Sequence, residues 1–233
     1  MEDIRKNLSE VSRQIKESAE ACGRSADDVL LVAVSKTRTP EEINQAIDNG
    51  VTDIGENKVQ EIMDKYDAVK PVRWHMIGHL KTNKVKYIID KVAMIHSVDS
   101  YKLAAEINRR AAAKGIVMDI LLQVNSAKEE SKFGIGTEET EQLIREILDS
   151  CENVRIRGLM FIAPYAEDPQ DIKVYFDQVK KQYDQFAQIQ HPGLDFRYLS
   201  MGMSHDFPVA IQAGSNLVRV GSAIFGERDY SKK

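Results

Sequence analysis

Apolar residues in the first twenty positions recur at helical spacing. Ile4, Leu8, Val11 and Ile15 follow an i, i+4, i+7, i+11 pattern, which places them on one face of a helix. The pattern predicts an amphipathic N-terminal helix within residues 1–22 that packs its apolar face on the rest of the chain.

After Gly23 the pattern changes to short apolar runs that alternate with helical segments. The clearest helix lies in TPEEINQAIDNG, with Thr39 as N-cap, Pro40 at the first helical position, Glu42 completing a capping box and Gly50 as terminator. Eight of the apolar runs have the length and composition of buried strands. The predicted strands are Leu30–Ser35, Asp53–Gly55, Arg73–Ile77, Met94–Ser97, Met118–Val124, Ile156–Met160, Phe196–Ser200 and Leu217–Val220.

Repeated strand–helix alternation in a chain of this length is typical of a (β/α)8 TIM barrel, which belongs to the α/β class. A doubly wound open sheet is the alternative, because an error of one strand in the count would change the topology. No linker, low-complexity tract or internal repeat divides the chain, so we predict one domain over residues 1–233.

Composition and charge exclude several classes of protein. The 233 residues are 42% hydrophobic and 29% charged, and the net charge of −4 is mixed along the chain, so a nucleic-acid partner is not expected. No apolar run suits a signal peptide or a membrane span, which predicts a cytoplasmic protein without a membrane partner. Cys22 and Cys151 match no metal or redox spacing, so we expect two free thiols.

Candidate functional residues follow the predicted strands. In a barrel, such groups gather at the carboxyl ends of the strands, and phosphate sites favour the loops after the seventh and eighth strands. Lys36 ends the first strand, Glu56 and Asn57 follow the second, and His79 follows the third. For Lys36 the alternative interpretation is a lysine that ends the strand and extends into water.

Small residues dominate the last two loops. In SMGMSHDFPVAIQAG, Gly202 lies in the turn and Ser204 is the predicted N-cap of the next helix. In RVGSAIFGERDY, Gly221 and Ser222 offer backbone N–H groups and a hydroxyl. Such residues beside a helix N-terminus form an anion cradle, and two ordinary Gly/Ser turns are the alternative.

Arg219 lies in NLVRVG, a strand whose other residues are mostly apolar. A guanidinium inside a barrel is costly unless an acceptor pairs with it. An ion pair with an acidic residue such as Glu56 is one account, and a ligand in the barrel mouth is the other. Together with Lys36 and the cradle, Arg219 indicates a pyridoxal 5′-phosphate site, with an imine on the lysine and a donor for the ring nitrogen.

Five segments carry a resemblance to a known family: VAVSKT, GENKVQE, WHMIGHLKTNK, GLMFIAP and LSMGMSHDFPVAIQAGSNLVRVGSAIFGERDY. From about Val29 onward the chain resembles the YggS/PROSC family of pyridoxal phosphate homeostasis proteins. The resemblance implies a barrel like the N-terminal domain of alanine racemase, which is fold type III among pyridoxal phosphate proteins. The family often has Phe and Gln where this chain has Met76 and Lys81, which affects only the wall of the third loop.

The resemblance also implies a role for individual residues. The cofactor is expected to be bound covalently to Lys36, with Arg219 facing its pyridine nitrogen. The resemblance further implies that another set of residues contacts the phosphate or lines the same pocket. This set comprises Ser200, Ser204, Gly221 and Ser222 for the phosphate, and Asn57 and Met201 for the pocket.

The function that the resemblance implies is that of a monomer that carries or buffers pyridoxal phosphate, or delivers it to apo-enzymes that depend on it, without dedicated turnover. A racemase-like enzyme is the second hypothesis. In alanine racemase a second acid–base group is a tyrosine from another subunit's C-terminal domain, which we do not expect in a chain that ends at Lys233; of its own tyrosines only Tyr165 falls in a loop at the mouth. A class I aldolase, the third hypothesis, leaves Arg219 without a role.

His75 and His79 are four residues apart, and on a strand that spacing does not form a helical metal pair. Each is expected to pack or to form hydrogen bonds, and no metal site is predicted.

Overall fold

The computed structural model describes residues 3–125 and 134–227, and a closed barrel of eight parallel strands lies at its centre. Each strand pairs with the next one along the chain, and the last pairs with the first. The strands are β1 (Leu30–Val34), β2 (Asp53–Glu56), β3 (Arg73–Met76), β4 (Met94–Val98), β5 (Met118–Val124), β6 (Val154–Phe161), β7 (Leu194–Ser200) and β8 (Leu217–Val220).

Barrel closure confirms the predicted fold class and excludes the open sheet. In β1, Ala33 pairs with Ile54 of β2 on one side and with Val220 of β8 on the other, so β1 has no free edge. All eight predicted strands are present. The largest differences are at the starts of β6 and β7, each of which begins two residues earlier than predicted.

Helices follow the strands around the outside of the barrel. Thr39 and Glu42 form the predicted capping box, since each side chain accepts a hydrogen bond from the backbone N–H of the other. The helices are α1 (Ile4–Glu20), α2 (Pro40–Asp48), α3 (Val59–Lys65), α4 (Val85–Ile88), α5 (Tyr101–Lys114), α6 (Thr137–Ser150), α7 (Lys173–Phe186), α8 (Phe207–Gln212) and α9 (Ser222–Phe225). No helix within the described ranges is long and apolar enough to cross a membrane.

The N-terminal helix α1 packs on the elements that follow the last two strands. Its four predicted core residues are all buried, and α1 contacts α8, α9 and α2. The Asn7 side chain donates a hydrogen bond of 3.0 Å to the carbonyl oxygen of Ile224 in α9. The predicted amphipathic helix is therefore confirmed. It packs against α8 and α9, the helices that follow the loops in which the anion cradle was predicted.

Polar and charged side chains lie inside the barrel among the apolar ones. The interior-facing residues of a barrel form packed layers, usually of branched aliphatic side chains. Among the buried polar groups, one from each of five strands joins a set of side chains that hydrogen-bond to one another. These groups are Asp53 in β2, His75 in β3, His96 in β4, Ser200 in β7 and Arg219 in β8.

Candidate functional site

A cavity of about 500 Å³ opens at the carboxyl ends of the strands. This volume is within the range of small-molecule and cofactor sites. Ser200 and Met201, also predicted as site residues, are completely buried and do not line the cavity. The six predicted residues that line it are Lys36, Asn57, Ser204, Arg219, Gly221 and Ser222.

Lys36 lies in an unusual turn directly after β1. The next residue, Thr37, has a φ of 65°, a left-handed conformation that is rare for a β-branched residue. Its backbone N–H donates a hydrogen bond of 2.6 Å to Oε2 of Glu61 in α3, which holds the turn in place. As a result the half-buried Lys36 side chain lies in the cavity wall.

A buried charged cluster lies directly beneath this turn. Lys65 Nζ is 2.9 Å from Glu56 Oε1 and 2.8 Å from Glu61 Oε2, and it donates a hydrogen bond to the carbonyl oxygen of Ser35. The Ser35 hydroxyl donates to the same Glu56 oxygen. Burial raises the pKa of Glu56 above its usual value, although Lys65 opposes the rise. Removing one member would leave a buried charge without its partner.

Glu56 is therefore the partner of Lys65, and the sequence-based alternative of an ion pair between Glu56 and Arg219 is wrong. The pairing of Glu56 could not be predicted because Lys65 reaches it from α3, and the order of the strands does not reveal contacts between a helix and a strand. Sequence reasoning missed Lys65 and Glu61. Their i, i+4 spacing on a predicted helix was the available signal.

Arg219 is 3% exposed and has two neutral partners. One terminal nitrogen donates to Ser200 Oγ at 2.6 Å, and the other donates to the carbonyl oxygen of Phe161 at 2.9 Å. Burial lowers the pKa of Arg219 to about 10, so the guanidinium is still cationic at neutral pH. Because an arginine has five N–H donors and this one lines the cavity, it has donor capacity for a ligand.

The loops after β7 and β8 meet at Ser204. Its hydroxyl oxygen accepts hydrogen bonds from the backbone N–H groups of Gly221 (3.1 Å) and Ala223 (3.3 Å), at the start of α9. Ser222 lies between these two donors and lines the cavity. Two backbone N–H groups therefore point to the side of the cavity that Ser204 and Ser222 line, and such a group of donors suits an anion.

The expected role of Ser204 as N-cap of the following helix is wrong. Asp206 occupies the N-cap position of α8, and its carboxylate accepts a hydrogen bond from the backbone N–H of Met203. This closes the turn between β7 and α8 and directs the Ser204 hydroxyl across to α9 instead. Gly202 in the same turn has a φ of 94°, and a Cβ there would lie 2.7 Å from the Cβ of Ala210.

The third loop contacts the second at Gly78. A Cβ at this position would lie 2.3 Å from the carbonyl oxygen of Asn57, so only glycine permits the approach. Both residues line the cavity. Met76 and Lys81, the departures from the family pattern, lie outside the cavity wall.

His75 and His79 do not form a pair. β3 ends at Met76, so only His75 is on the strand, and its ring lies inside the barrel between Asp53 and His96. His79 lines the cavity, with Nδ1 3.9 Å from Asp99 Oδ2. Within residues 3–125 and 134–227 no group of three or more His, Cys, Asp or Glu side chains is arranged to hold a metal ion.

Two contacts at the mouth were not predicted from the sequence: those of Arg38, and the stacking of Tyr165, a residue already expected in a mouth loop, on His205. Arg38 lines the cavity and donates hydrogen bonds to the carbonyl oxygens of Gly226 and Glu227. Tyr165 is 82% exposed and stacks on His205, with ring centroids 5.6 Å apart, and His205 is a cavity residue. The basic residue two positions after Lys36 was the only sequence signal for the contacts of Arg38.

We expect His96 to make stability depend on pH. Burial, together with the nearby Arg219 cation, holds the pKa of His96 well below its ordinary value of 6.5. As pH falls below 6.5, the unfolded chain binds a proton that the folded protein does not, so the free energy of unfolding decreases. The loss approaches about 1.4 kcal/mol per pH unit.

This dependence can be measured by urea unfolding at several pH values between neutrality and about one unit below the ordinary histidine pKa. His96→Gln removes the titrating ring, so the difference between wild type and variant should shrink steadily as pH falls. Carboxyl groups titrate in both proteins and cancel in the comparison. Parallel pH profiles for the two proteins would contradict the prediction.

The comparisons with known proteins agree with this architecture. The family model described as "Alanine racemase, N-terminal domain" matches residues 6–229, which places the barrel in that class. A "Pyridoxal phosphate homeostasis protein" of Aquifex aeolicus is 43% identical over 225 residues, covering 96% of this chain and 97% of that one. The protein of the same name from Escherichia coli is 38% identical over 241 residues and the full length of both chains. The chain belongs to the family of pyridoxal phosphate homeostasis proteins.

Solved structures give the same result. PipY of Synechococcus elongatus, determined with PLP bound, is 32% identical with a TM-score of 0.82, and the match covers 96% of this chain and all of PipY. A protein from Bifidobacterium adolescentis has a TM-score of 0.89 at 36% identity, covering 96% and 97% of the two chains. Alanine racemase of Clostridium difficile, at 16% identity and a TM-score of 0.71, shares the fold; 97% of this chain matches 57% of that one.

Proposed function

We propose that this protein binds pyridoxal 5′-phosphate at the barrel mouth and carries, buffers or delivers it, without a dedicated reaction of its own. The observation that carries the proposal is the convergence of Lys36, Arg219 and the cradle on one cavity. Family membership supports it, because the PipY structure was determined with PLP bound.

The donor set of the cavity fits the groups of this cofactor. When bound, pyridoxal phosphate supplies an aldehyde that condenses with an amine, a ring nitrogen that accepts a hydrogen bond, and an anionic phosphate. Lys36 offers the amine and would hold the cofactor as a Schiff base. The Gly221 and Ala223 N–H groups, which Ser204 now engages, together with Ser222 would hold the phosphate.

Arg219 would face the ring nitrogen as a donor that does not release its proton. A guanidinium is cationic at neutral pH, so it keeps the nitrogen as an acceptor and leaves it unprotonated. An unprotonated ring withdraws electrons weakly, which disfavours carbanion chemistry on bound amino acids. The residue therefore supports retention of the cofactor more than turnover.

Ser200 and Met201 would act from beneath the cavity. Because the Ser200 hydroxyl is buried and bonded to Arg219 and His96, we assign it to positioning the guanidinium rather than to holding the phosphate. Met201 is completely buried and would support the same floor. Asn57 would line the pocket next to Gly78.

The test is to incubate the holoprotein with L-alanine and other L-amino acids, and separately with an apo-enzyme that requires pyridoxal phosphate. We expect the apo-enzyme to gain activity and the amino acids to be turned over negligibly. Racemisation or transamination at ordinary enzymatic rates, abolished in Lys36→Ala, would refute the carrier function and indicate an enzyme instead. Tyr165→Phe would then show whether the mouth tyrosine is an acid–base group.

We further propose that the protein is a cytoplasmic monomer and that apo-enzymes dependent on pyridoxal phosphate are its partners. Sedimentation of the purified chain tests the oligomeric state. A stable dimer at micromolar concentration would remove the monomer from the proposal without affecting cofactor binding.

A further inference from the structure

A continuous chain of hydrogen bonds crosses the inside of the barrel from its amino-terminal end to the cavity. Asp53 Oδ1 is 2.8 Å from His75 Nε2, and His75 Nδ1 is 2.9 Å from His96 Nε2. His96 Nδ1 is 3.2 Å from Ser200 Oγ, which accepts from Arg219. All five residues are buried, so water does not replace these contacts.

The lower end of the chain is an acceptor. Burial favours the neutral form of Asp53, but hydrogen bonds from His75, Arg73 and Thr52 outweigh it and lower the pKa of the carboxyl to about 2. Two of these bonds come from the Arg73 guanidinium, at 2.8 and 2.7 Å. An ionised carboxylate can only accept, so His75 must carry its hydrogen on Nε2.

The upper end is a donor, because a guanidinium has no acceptor atoms. If both imidazoles are neutral, the acceptor at one end and the donor at the other determine which atom carries each hydrogen between them. His75 Nδ1 accepts from His96 Nε2–H, and His96 Nδ1 accepts from the Ser200 hydroxyl. The lone pairs of Ser200 Oγ are then left for Arg219. The bonds run in one direction, from the arginine cation to the Asp53 anion.

We propose that Asp53, His75 and His96 are positioning residues for Arg219, because their one-way hydrogen-bond chain keeps Ser200 as an acceptor for the guanidinium. The other terminal nitrogen of Arg219 is held by the Phe161 carbonyl, so the chain completes the anchoring of the group. The link to the cofactor rests on the proposed function, in which Arg219 faces the ring nitrogen.

A consequence is that the amino-terminal end of the barrel influences the cavity at the opposite end. The Arg73 side chain is 59% exposed and caps the chain through Asp53. A change at Asp53 alters which ring nitrogen of His75 carries the hydrogen, and this in turn alters the tautomer of His96. The direction in which the Ser200 hydroxyl beside Arg219 donates then changes as well. Asp53 does not line the cavity, so its effect on a bound ligand would pass through this chain.

The first test does not depend on the cofactor. Nitrogen-15 NMR of histidine-labelled full-length protein at pH about 8 reports which ring nitrogen carries hydrogen, as the tautomer assignment requires. The chain has five histidines, and His75→Gln and His96→Gln assign the two signals. We expect both rings to be neutral with hydrogen on Nε2. Hydrogen on Nδ1 of His96 would overturn the one-way chain.

The second test compares two buried serines with pyridoxal 5′-phosphate as the probe. Ser200→Ala breaks the chain, whereas Ser97→Ala removes a buried hydroxyl that has no partner among the described residues. We expect Ser200→Ala and His96→Gln to bind the cofactor about tenfold more weakly and to shift the pH at which its visible absorption changes. Ser97→Ala should match wild type in both measurements.

Asp53→Asn distinguishes the positioning role from a purely structural one. The measured quantity is the pH dependence of the visible absorption of the bound cofactor, which a purely structural role of Asp53 would leave unchanged. We expect Asp53→Asn to shift the pH dependence of the absorption in the same direction as His96→Gln, although it lies at the other end of the barrel. A wild-type protein without affinity for pyridoxal phosphate would refute the proposed function and leave the NMR result standing. Normal wild-type binding with all variants unchanged would overturn the positioning role instead.

Discussion

We expect the wild-type protein to form a covalent chromophore with pyridoxal phosphate, and we expect Lys36→Ala to abolish it. The amine lies in the cavity wall, and an alanine there has no group that condenses with an aldehyde. The fold should survive, because the side chain is half-buried at a strand end and outside the hydrophobic core. The visible absorption spectrum before and after borohydride reduction measures the loss.

Lys58→Ala is the matched control for that experiment. Lys58 is an exposed lysine that follows the cavity residue Asn57, but it does not line the cavity. Its replacement should leave the chromophore unchanged. Peptide mapping of the reduced wild-type protein should find the pyridoxyl group on Lys36. A label on Lys58 or Lys81 would refute the assignment.

Ser222→Asp is expected to weaken cofactor binding by more than about a hundredfold. In the proposed site the substitution would remove a hydrogen bond to phosphate, worth about 1.5–3 kcal/mol, and would add a negative charge beside a dianion. Two charges about 4 Å apart near a protein surface repel by a few kcal/mol. Titration of apoprotein with pyridoxal phosphate, followed by absorbance, measures the change.

Ser222→Asn separates charge from size in this test. Asparagine has nearly the shape of aspartate without the charge, so it should weaken binding far less. Equal affinity of Ser222→Asp and wild type would remove Ser222 from the phosphate site. Equal loss in the two variants would instead indicate that side-chain size, and not charge repulsion, limits binding there.

Much of this architecture was predictable because periodicity is local. A buried parallel strand is a short apolar run, and an outer helix has one apolar face, so the eight strands, the capping box at Thr39 and the helix α1 could be recognised without long-range information. The barrel rule then placed candidates such as Lys36, Asn57 and Ser222 at one end, because the carboxyl ends of parallel strands share an edge.

Partner choice inside the barrel was not predictable in the same way. Glu56 binds Lys65 rather than Arg219, and Ser204 caps the turn before α9 rather than its own helix. In both cases the partner depends on how separate elements are placed relative to one another in space. Propensity describes one segment at a time and cannot rank such contacts.

The sequence by itself determined the order of strands and helices, the residue types available at the mouth, and the family, since each depends on local pattern or motif. Only the tertiary structure decided that Ser200 lies beneath the cavity and that Asp53, His75 and His96 join it in one line. These residues come from four strands, and a hydrogen bond depends on distances of a few tenths of an ångström. Barrel closure sets those distances, because the pairing of β8 with β1 lets side chains of β7 and β8 share one interior with those of β2, β3 and β4.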